Sequence, residues 1–445
     1  MRAAVVRLRE TGRATLLWAG VAAAAAGAAP AGAAERLDVE TAVRLAVTRN
    51  ERAGSAAATR EAAEARLDRA RAFFFPDLTA NGAYTRRAFE TTRTVDGQPF
   101  TIQSRNALAG NLTLSMLIFD ARSIPLYRQA LHETSAARWV AADDVRLLGF
   151  EAADAFLATI GRQQVLAAAE RRTEYATGAL QDASVRFDAG LAGANDVSRA
   201  ELELASAQRA LADAQANSSI SILELGFLLD TPVAPPLESP EPLLADAAAP
   251  LAADSLLVEQ ARRRRPDLAA SREHLTATQM AAQEPLLRAL PNFNFVATTR
   301  RTNERGLSGR AADWSLGVNA AWALYDGGDR YAERAERRAL SRVASLDLRA
   351  RDRETALQVT RARVALEQAR AALVATTAAV DAARRNATEN MELYRQGLAR
   401  ALELADANVR LFEAEVAHAG ERFAVGRAFL DLRAALGLDP LGREP

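Results

Sequence analysis

The chain has 445 residues, with 56 Arg, 56 Asp plus Glu, no Lys and no Cys. Balanced charge gives no general attraction for nucleic acid. The lack of Cys excludes disulfides, thiolate metal sites, a Cys nucleophile and a lipid anchor on an N-terminal Cys.

The first element is a targeting segment. Arg2, Arg7, Arg9 and Arg13 precede the apolar run "ATLLWAGVAAAAAGAA", and small residues follow at "PAGAAE". That is the order of a charged region, an apolar region and a small-residue cleavage site, with cleavage expected after Ala33 or Ala34. Residues 1–34 are thus expected to be a signal peptide. No later run has the ~18–20 apolar residues of a membrane helix.

The remainder is one unit written twice, over 35–230 and 254–445, joined by a Pro-rich linker at 231–253. Pro76 falls on Pro291, Asp120 on Asp326, Gly190 on Gly397, and "ELGFLLD" on "RAALGLD". The spacing between copies stays nearly constant except at 86–105, where the first is longer. So long a period marks a duplicated domain, not a short-repeat solenoid.

Each copy opens with a predicted helix, about 38–74 and 254–289. Two strands follow, entered at "PDLTANGAYTRR" and "PNFNFVATTRRT" and returning through "NALAGNLTLSMLIFD" and "ADWSLGVNAAWALYD". In the second return strand Trp314, Leu316, Val318, Ala320, Trp322 and Leu324 share one face, with Ser315, Gly317 and Asn319 opposite. Leu108, Leu112, Leu114, Met116 and Ile118 form the matching face in the first. This period of two predicts strands with one apolar face. The polar loops at about 86–105 and 300–312 are expected outside.

A very long helix comes next. Residues 329–396 contain neither Gly nor Pro, which at 1.5 Å per residue gives on the order of 100 Å. Val359, Leu366, Leu373 and Val380 recur at coiled-coil spacing. Pairs such as Glu333 and Arg337 suit an exposed helical face. Return helices are predicted at about 196–229 and 402–436. The turns between are "RFDAGLAGANDV" and "LYRQGLARALEL", each with Gly at a helix end; Asn195 or Asp196 can cap the next helix. Such a rod is too thin to bury its apolar faces alone, so it is expected to pack against copies of itself.

Exported strands with an apolar face either belong to a soluble sheet or join a membrane barrel. The return strands have the ~9–11 residues a tilted membrane strand needs. Open edges are not tolerated in lipid. Four strands cannot close alone, so several chains must contribute. Trp314 and Trp322 suit the aromatic girdles of such a band.

The chain resembles the TolC family of outer-membrane efflux channels over nearly its whole mature length. The likeness rests on the duplicated helix–Pro–two-strand–long-helix unit, on the "FD" and "YD" steps after the return strands, and on the two Gly-Leu turns. It implies a mainly α fold with a membrane β-barrel. Three copies would give a homotrimer with a 12-stranded β-barrel and a long coiled-coil α-barrel. It also implies a passive duct in the outer membrane reaching into the periplasm, with no enzymatic activity and no cofactor. Its partners would be outer-membrane lipid, a periplasmic adaptor and an inner-membrane transporter. The resemblance places docking at the tips, at Gly190, Leu191, Gly397 and Leu398. It places a periplasmic gate at Asp196, Tyr394, Arg400, Glu403 and Asp406, although the family's Arg stands one residue earlier, where Ala399 is found. Glu403 and Asp406, three apart, share a helix face; threefold symmetry would make them two carboxylate rings able to attract cations. The same residues taken without the family suit a solvated helix face.

Protein export by a type I secretion system and a structural coiled coil without a pore are the alternatives. His132, His274 and His418 lack metal-ligand spacing and are expected to be packing or surface residues. "RRRRP" at 262–266 is expected to be a solvated helix start, not a nucleic-acid site.

Overall fold

The computed structural model describes residues 37–95, 97–304 and 310–444. The expected signal peptide lies outside them. Two short helices, α1 (Val39–Arg49) and α2 (Glu51–Ala72), replace the single first helix expected. Asn50 makes the break. Its backbone is extended, its side chain accepts from the Arg52 amide at 3.0 Å, and its Nδ2 donates to the Leu228 carbonyl at 3.0 Å. Strand β1 (Asp77–Arg86) follows, then the hairpin β2 (Thr91–Val95) and β3 (Gln98–Gln103), then β4 (Asn106–Phe119). The hairpin fills the segment expected to be a plain loop.

Helix α3 (Ser123–Asp188) and helix α4 (Ala194–Leu229) form the first helical hairpin. The joining segment holds a short helix, α5 (Glu241–Ala248). The opening helix of the second copy is cut into α6 (Asp254–Arg264), α7 (Pro266–Ala281) and α8 (Glu284–Leu287). Pro266 explains the first cut: proline pushes the preceding residue out of the helical region, and Arg265 is extended. "RRRRP" is therefore a helix junction and not a solvated start. Arg262, Arg263, Arg264 and Arg265 pair with Asp352, Glu259, Glu444 and Asp267. Strands β5 (Asn292–Thr302) and β6 (Ala312–Ala321) and helices α9 (Asp329–Arg395) and α10 (Ala401–Ala435) complete the second copy. At 66 and 67 residues, α3 and α9 are each about 100 Å long. No helix among the described residues is long and apolar enough to cross a membrane.

The strands form one antiparallel sheet in the order β1-β4-β5-β6, with the β2-β3 hairpin separate. Register fixes its two faces. Leu78 lies opposite Leu114, which faces Ala297, which faces Leu316; Met116, Phe295 and Val318 form the next row. That face is apolar. The other carries Thr79, Thr113, Thr298 and Ser315 in one row and Asn81, Asn111, Arg300 and Asp313 in another. Trp322 and Leu324, expected within the last strand, lie beyond it. The repeated Asp holds each turn from strand to helix. Asp120 Oδ1 accepts from the Arg122 amide at 3.1 Å, and Asp326 Oδ1 accepts from the Gly328 amide at 3.1 Å.

The largest core gathers Leu148, Phe156 and Leu157 of α3, Leu225 and Leu229 of α4, and Phe423 and Leu430 of α10. A second core sets Val359 and Leu366 of α9 against Val425 and Leu432 of α10. Each fully buried large side chain stabilises the unit by roughly 1.5–3 kcal/mol. Toward the tips the seams narrow to alanine. Ala169, Ala176 and Ala183 of α3 and Ala200, Ala207 and Ala214 of α4 are buried at seven-residue intervals. Leu202, Leu223 and Phe227 on α4 and Val364 and Val374 on α9 remain exposed. This is a surplus of apolar surface along the helical hairpins.

Glu333 and Arg337, expected on an exposed face, instead belong to a four-charge cluster. Glu284, 2% exposed, accepts from Arg288 at 2.8 Å and pairs with Arg337 at 3.0 Å. Arg288 and Arg337 both reach Glu333. The cluster ties α8, just before β5, to α9, just after β6. His132 joins α3 to α7 through Glu273 at 2.7 Å, and His418 lies 3.5 Å from Thr377. Among the described residues no group of His, Asp or Glu could hold a metal ion.

Candidate functional site at the helical tips

Both tips are built the same way. Gly190 (φ +73) and Gly397 (φ +75) adopt the left-handed conformation that only glycine enters freely. The Gly190 amide donates to the Phe187 carbonyl at 2.9 Å, and the Leu191 amide to Arg186 at 2.8 Å. The Gly397 amide donates to the Tyr394 carbonyl at 3.0 Å, and the Leu398 amide to Leu393 at 2.8 Å. This is the Schellman ending, which satisfies the last carbonyls of α3 and α9. Each turn then thrusts a leucine outward: Leu191 is 80% exposed and Leu398 73%. No described residue covers them.

The next helices start with an acid three residues in. Asp196 Oδ2 accepts from the Gly193 amide at 3.3 Å, and Glu403 Oε2 from the Arg400 amide at 3.0 Å. Asp196 therefore caps from inside α4, and Gly193, not Asn195 or Asp196, is the capping position. Each carboxylate also lies in the positive field of a helix N-terminus. Arg400 supplies the corresponding position of α10, with its side chain exposed. Asp406 pairs with Arg410 at 2.8 Å, one turn along α10, and this carboxylate keeps the Arg410 guanidinium above its ordinary value. Both side chains are more than half exposed, so the pair contributes little to stability.

Tyr394 is 5% exposed and continues the heptad of α9: Val359, Leu366 and Val380 are buried, then Ala387, then Tyr394. Its phenol is held above its ordinary value by burial first and by the charges of Asp182 and Asp196, against the opposing effect of Arg186. The Arg186 guanidinium lies 4.4 Å from the centre of the Tyr394 ring and donates to the Arg395 carbonyl at 3.0 Å. One side chain of α3 thus clamps the end of α9 by a cation–π contact and a hydrogen bond. Tyr394 and Asp196 are brought near each other, while Glu403 and Asp406 point into solvent.

Sequence reasoning missed Arg186. Its signal was a departure between copies: repeat two carries Leu393 at the matching position. Arg186→Ala is expected to speed amide exchange at both tips by about tenfold, the loss of a partly desolvated cation–π contact. Exchange unchanged from wild type would show that the contact holds nothing.

The model of the outer membrane efflux protein family matches residues 42–230 and 257–438. Nodulation protein T of Rhizobium leguminosarum bv. trifolii is 25% identical over 431 residues, covering 93% of this chain and 85% of its own. Among solved structures, the CmeC outer membrane channel of Campylobacter jejuni superposes with a TM-score of 0.74 at 16% identity, over 90% of this chain and 85% of that one. The outer membrane protein VceC of Vibrio cholerae superposes with a TM-score of 0.73 at 16% identity, over 90% and 96%.

Proposed function

Because the chain belongs to the outer membrane efflux protein family, an outer-membrane channel family and not one of enzymes, we propose that three copies form a passive exit duct. Each copy contributes four strands to a twelve-stranded barrel and its helices to a periplasmic tunnel. One observation carries this reading: a four-stranded sheet with one apolar face, one polar face and two unpaired edges, β1 and β6. An even number of antiparallel strands lets β6 of one copy meet β1 of the next in antiparallel sense. Closure removes both edges and leaves the threonine and asparagine rows facing water.

Leu191 and Leu398, with their glycines, dock onto a periplasmic adaptor that joins the duct to an inner-membrane transporter. Apolar side chains this exposed at the end of a rod suit an interface core. The gate lies between these tips, at Tyr394, Asp196, Arg400, Glu403 and Asp406. The Arg186 clamp on Tyr394 favours the narrow state, because widening the tip separates α3 from α9.

The test is assembly and conductance. The mature protein is expected to crosslink and sediment as a trimer in detergent and to conduct ions in planar bilayers. A stable folded monomer without conductance would overturn the duct.

A further inference from the structure

Among the charged residues on the outer part of the sheet, two arginines stand apart. Arg300 lies on the polar face, opposite Asp313 and within the field of Glu304. Arg301, its neighbour in sequence, points the other way, onto the apolar face. So does Arg86 at the end of β1, on the face of Leu78 and Tyr84. Both are exposed, and among the described residues neither side chain has a hydrogen bond or ion pair.

The surroundings of Arg301 are specific. Its row reads Gly82, Gly110, Arg301, Ala312 across the four strands. Three small residues leave a shallow gap beside the arginine, and a Cβ on Gly82 would meet nothing within 4 Å. Trp314 lies one row toward the periplasm, and Tyr84 one row outward, its hydroxyl donating to Asn106 at 3.0 Å. Asn292 to Arg301 spans about 30 Å of strand, or about 22 Å of height at the usual barrel tilt, close to the full apolar band. Arg301 therefore lies at its outer margin, where a charge costs little. At the other margin, the same face carries Phe293 and Ala320 and then Trp322, and no charge.

From this asymmetry we propose that Arg301 and Arg86 form a binding site for the phosphate groups of the outer-leaflet glycolipid. The guanidinium offers paired N–H donors that match a phosphate, and an uncompensated cation at the headgroup level calls for an anion. The gap beside Arg301 admits the headgroup, and Trp314 and Tyr84 pack on the sugar or the first chain carbons. The two arginines are about 16 Å apart along the backbone, two strands over and four residues up. That separation fits two phosphates on one headgroup. The site rests on the outer-membrane reading above, because only a barrel in lipid presents this face to a leaflet.

The test uses the full mature protein in detergent, by native mass spectrometry. The probes are lipid A carrying both phosphates, the same lipid dephosphorylated, and inorganic phosphate alone. Wild type is expected to bind the phosphorylated lipid at least about tenfold more tightly than the dephosphorylated one, and to ignore inorganic phosphate. R86Q/R301Q is expected to lose that preference while inserting into phospholipid vesicles as well as wild type does. Equal preference in the double variant overturns the site. So does inorganic phosphate that displaces the lipid from wild type. If wild type does not insert into vesicles at all, the outer-membrane reading itself fails, a separate result from insertion without phosphate preference.

Discussion

Cells that depend on this protein for efflux are expected to lose it when Leu191→Asp and Leu398→Asp are combined, with yield and assembly unchanged. The separation of effects follows from where the leucines lie. At 80% and 73% exposure they contribute little to the fold of a single chain. The turns that present them are fixed by Gly190 and Gly397 and by backbone hydrogen bonds, none of which needs the side chain. An Asp at an interface core leaves a desolvated carboxylate without a partner. Such a defect costs several kcal/mol of binding, about a thousandfold in affinity or more. Each single Asp variant is expected to be strongly impaired, since symmetry repeats the defect in every copy. The measurement is drug or dye accumulation alongside adaptor pull-down. Normal accumulation and pull-down in the double variant would show that docking does not use the tips.

Glu284→Ala is expected to have the largest effect on stability. The carboxylate is almost fully buried, accepts from Arg288 and forms an ion pair with Arg337. Removing it leaves two guanidinium groups sharing Glu333, with only the more distant and exposed Asp329 beside Arg288, together with an unfilled space. Loss of one partner from a buried ion network costs about 3–5 kcal/mol. Because the cluster joins the entry and exit of the β5–β6 hairpin, the defect should reach the sheet. Less heat-resistant assembly in gel shift or calorimetry would record it. Glu284→Gln, which keeps the shape and part of the hydrogen bonding, is expected to cost less. The acid response has a defined sign. Desolvation pushes the Glu333 carboxyl up, but Arg288 and Arg337 outweigh it, so its folded value lies below the usual 4.5. Its contribution is complete above that usual value and is lost as pH falls through the lower, folded one. An Ala variant as stable as wild type would mean that the cluster is replaceable by packing alone.

Much of this protein is legible in its sequence, because the governing geometry is local. Helices repeat at 3.6 residues and strands at two, so Val359, Leu366 and Val380 announced a seam, and Leu316 and Val318 an apolar face. The two glycines at the tips were legible for the same reason: a left-handed residue just past a helix end favours Gly. The duplication was visible because both copies obey the same local rules. The breaks were harder. Pro266 divides the second opening helix, a local signal that the apolar periodicity around it masks. Asn50 divided the first by bonding to Leu228, 178 residues away.

What the tertiary structure alone decided depends on which side chains meet across such distances. Alternation along a strand puts Arg300 and Arg301 on opposite faces, but only register with β4 and β6 shows that one lies opposite Asp313 and the other between Gly110 and Ala312. Glu333 and Arg337 have the spacing of a surface pair, and only the approach of α8 buries them against Glu284 and Arg288. Tyr394 was expected as a polar gate residue. The fold makes it the last buried member of the α9 heptad, held by an arginine of α3 that its own sequence neighbourhood does not reveal. Local periodicity is set by the backbone and survives in any context, whereas pairing is set by how elements far apart in sequence pack, and that information resides in no single stretch of the chain.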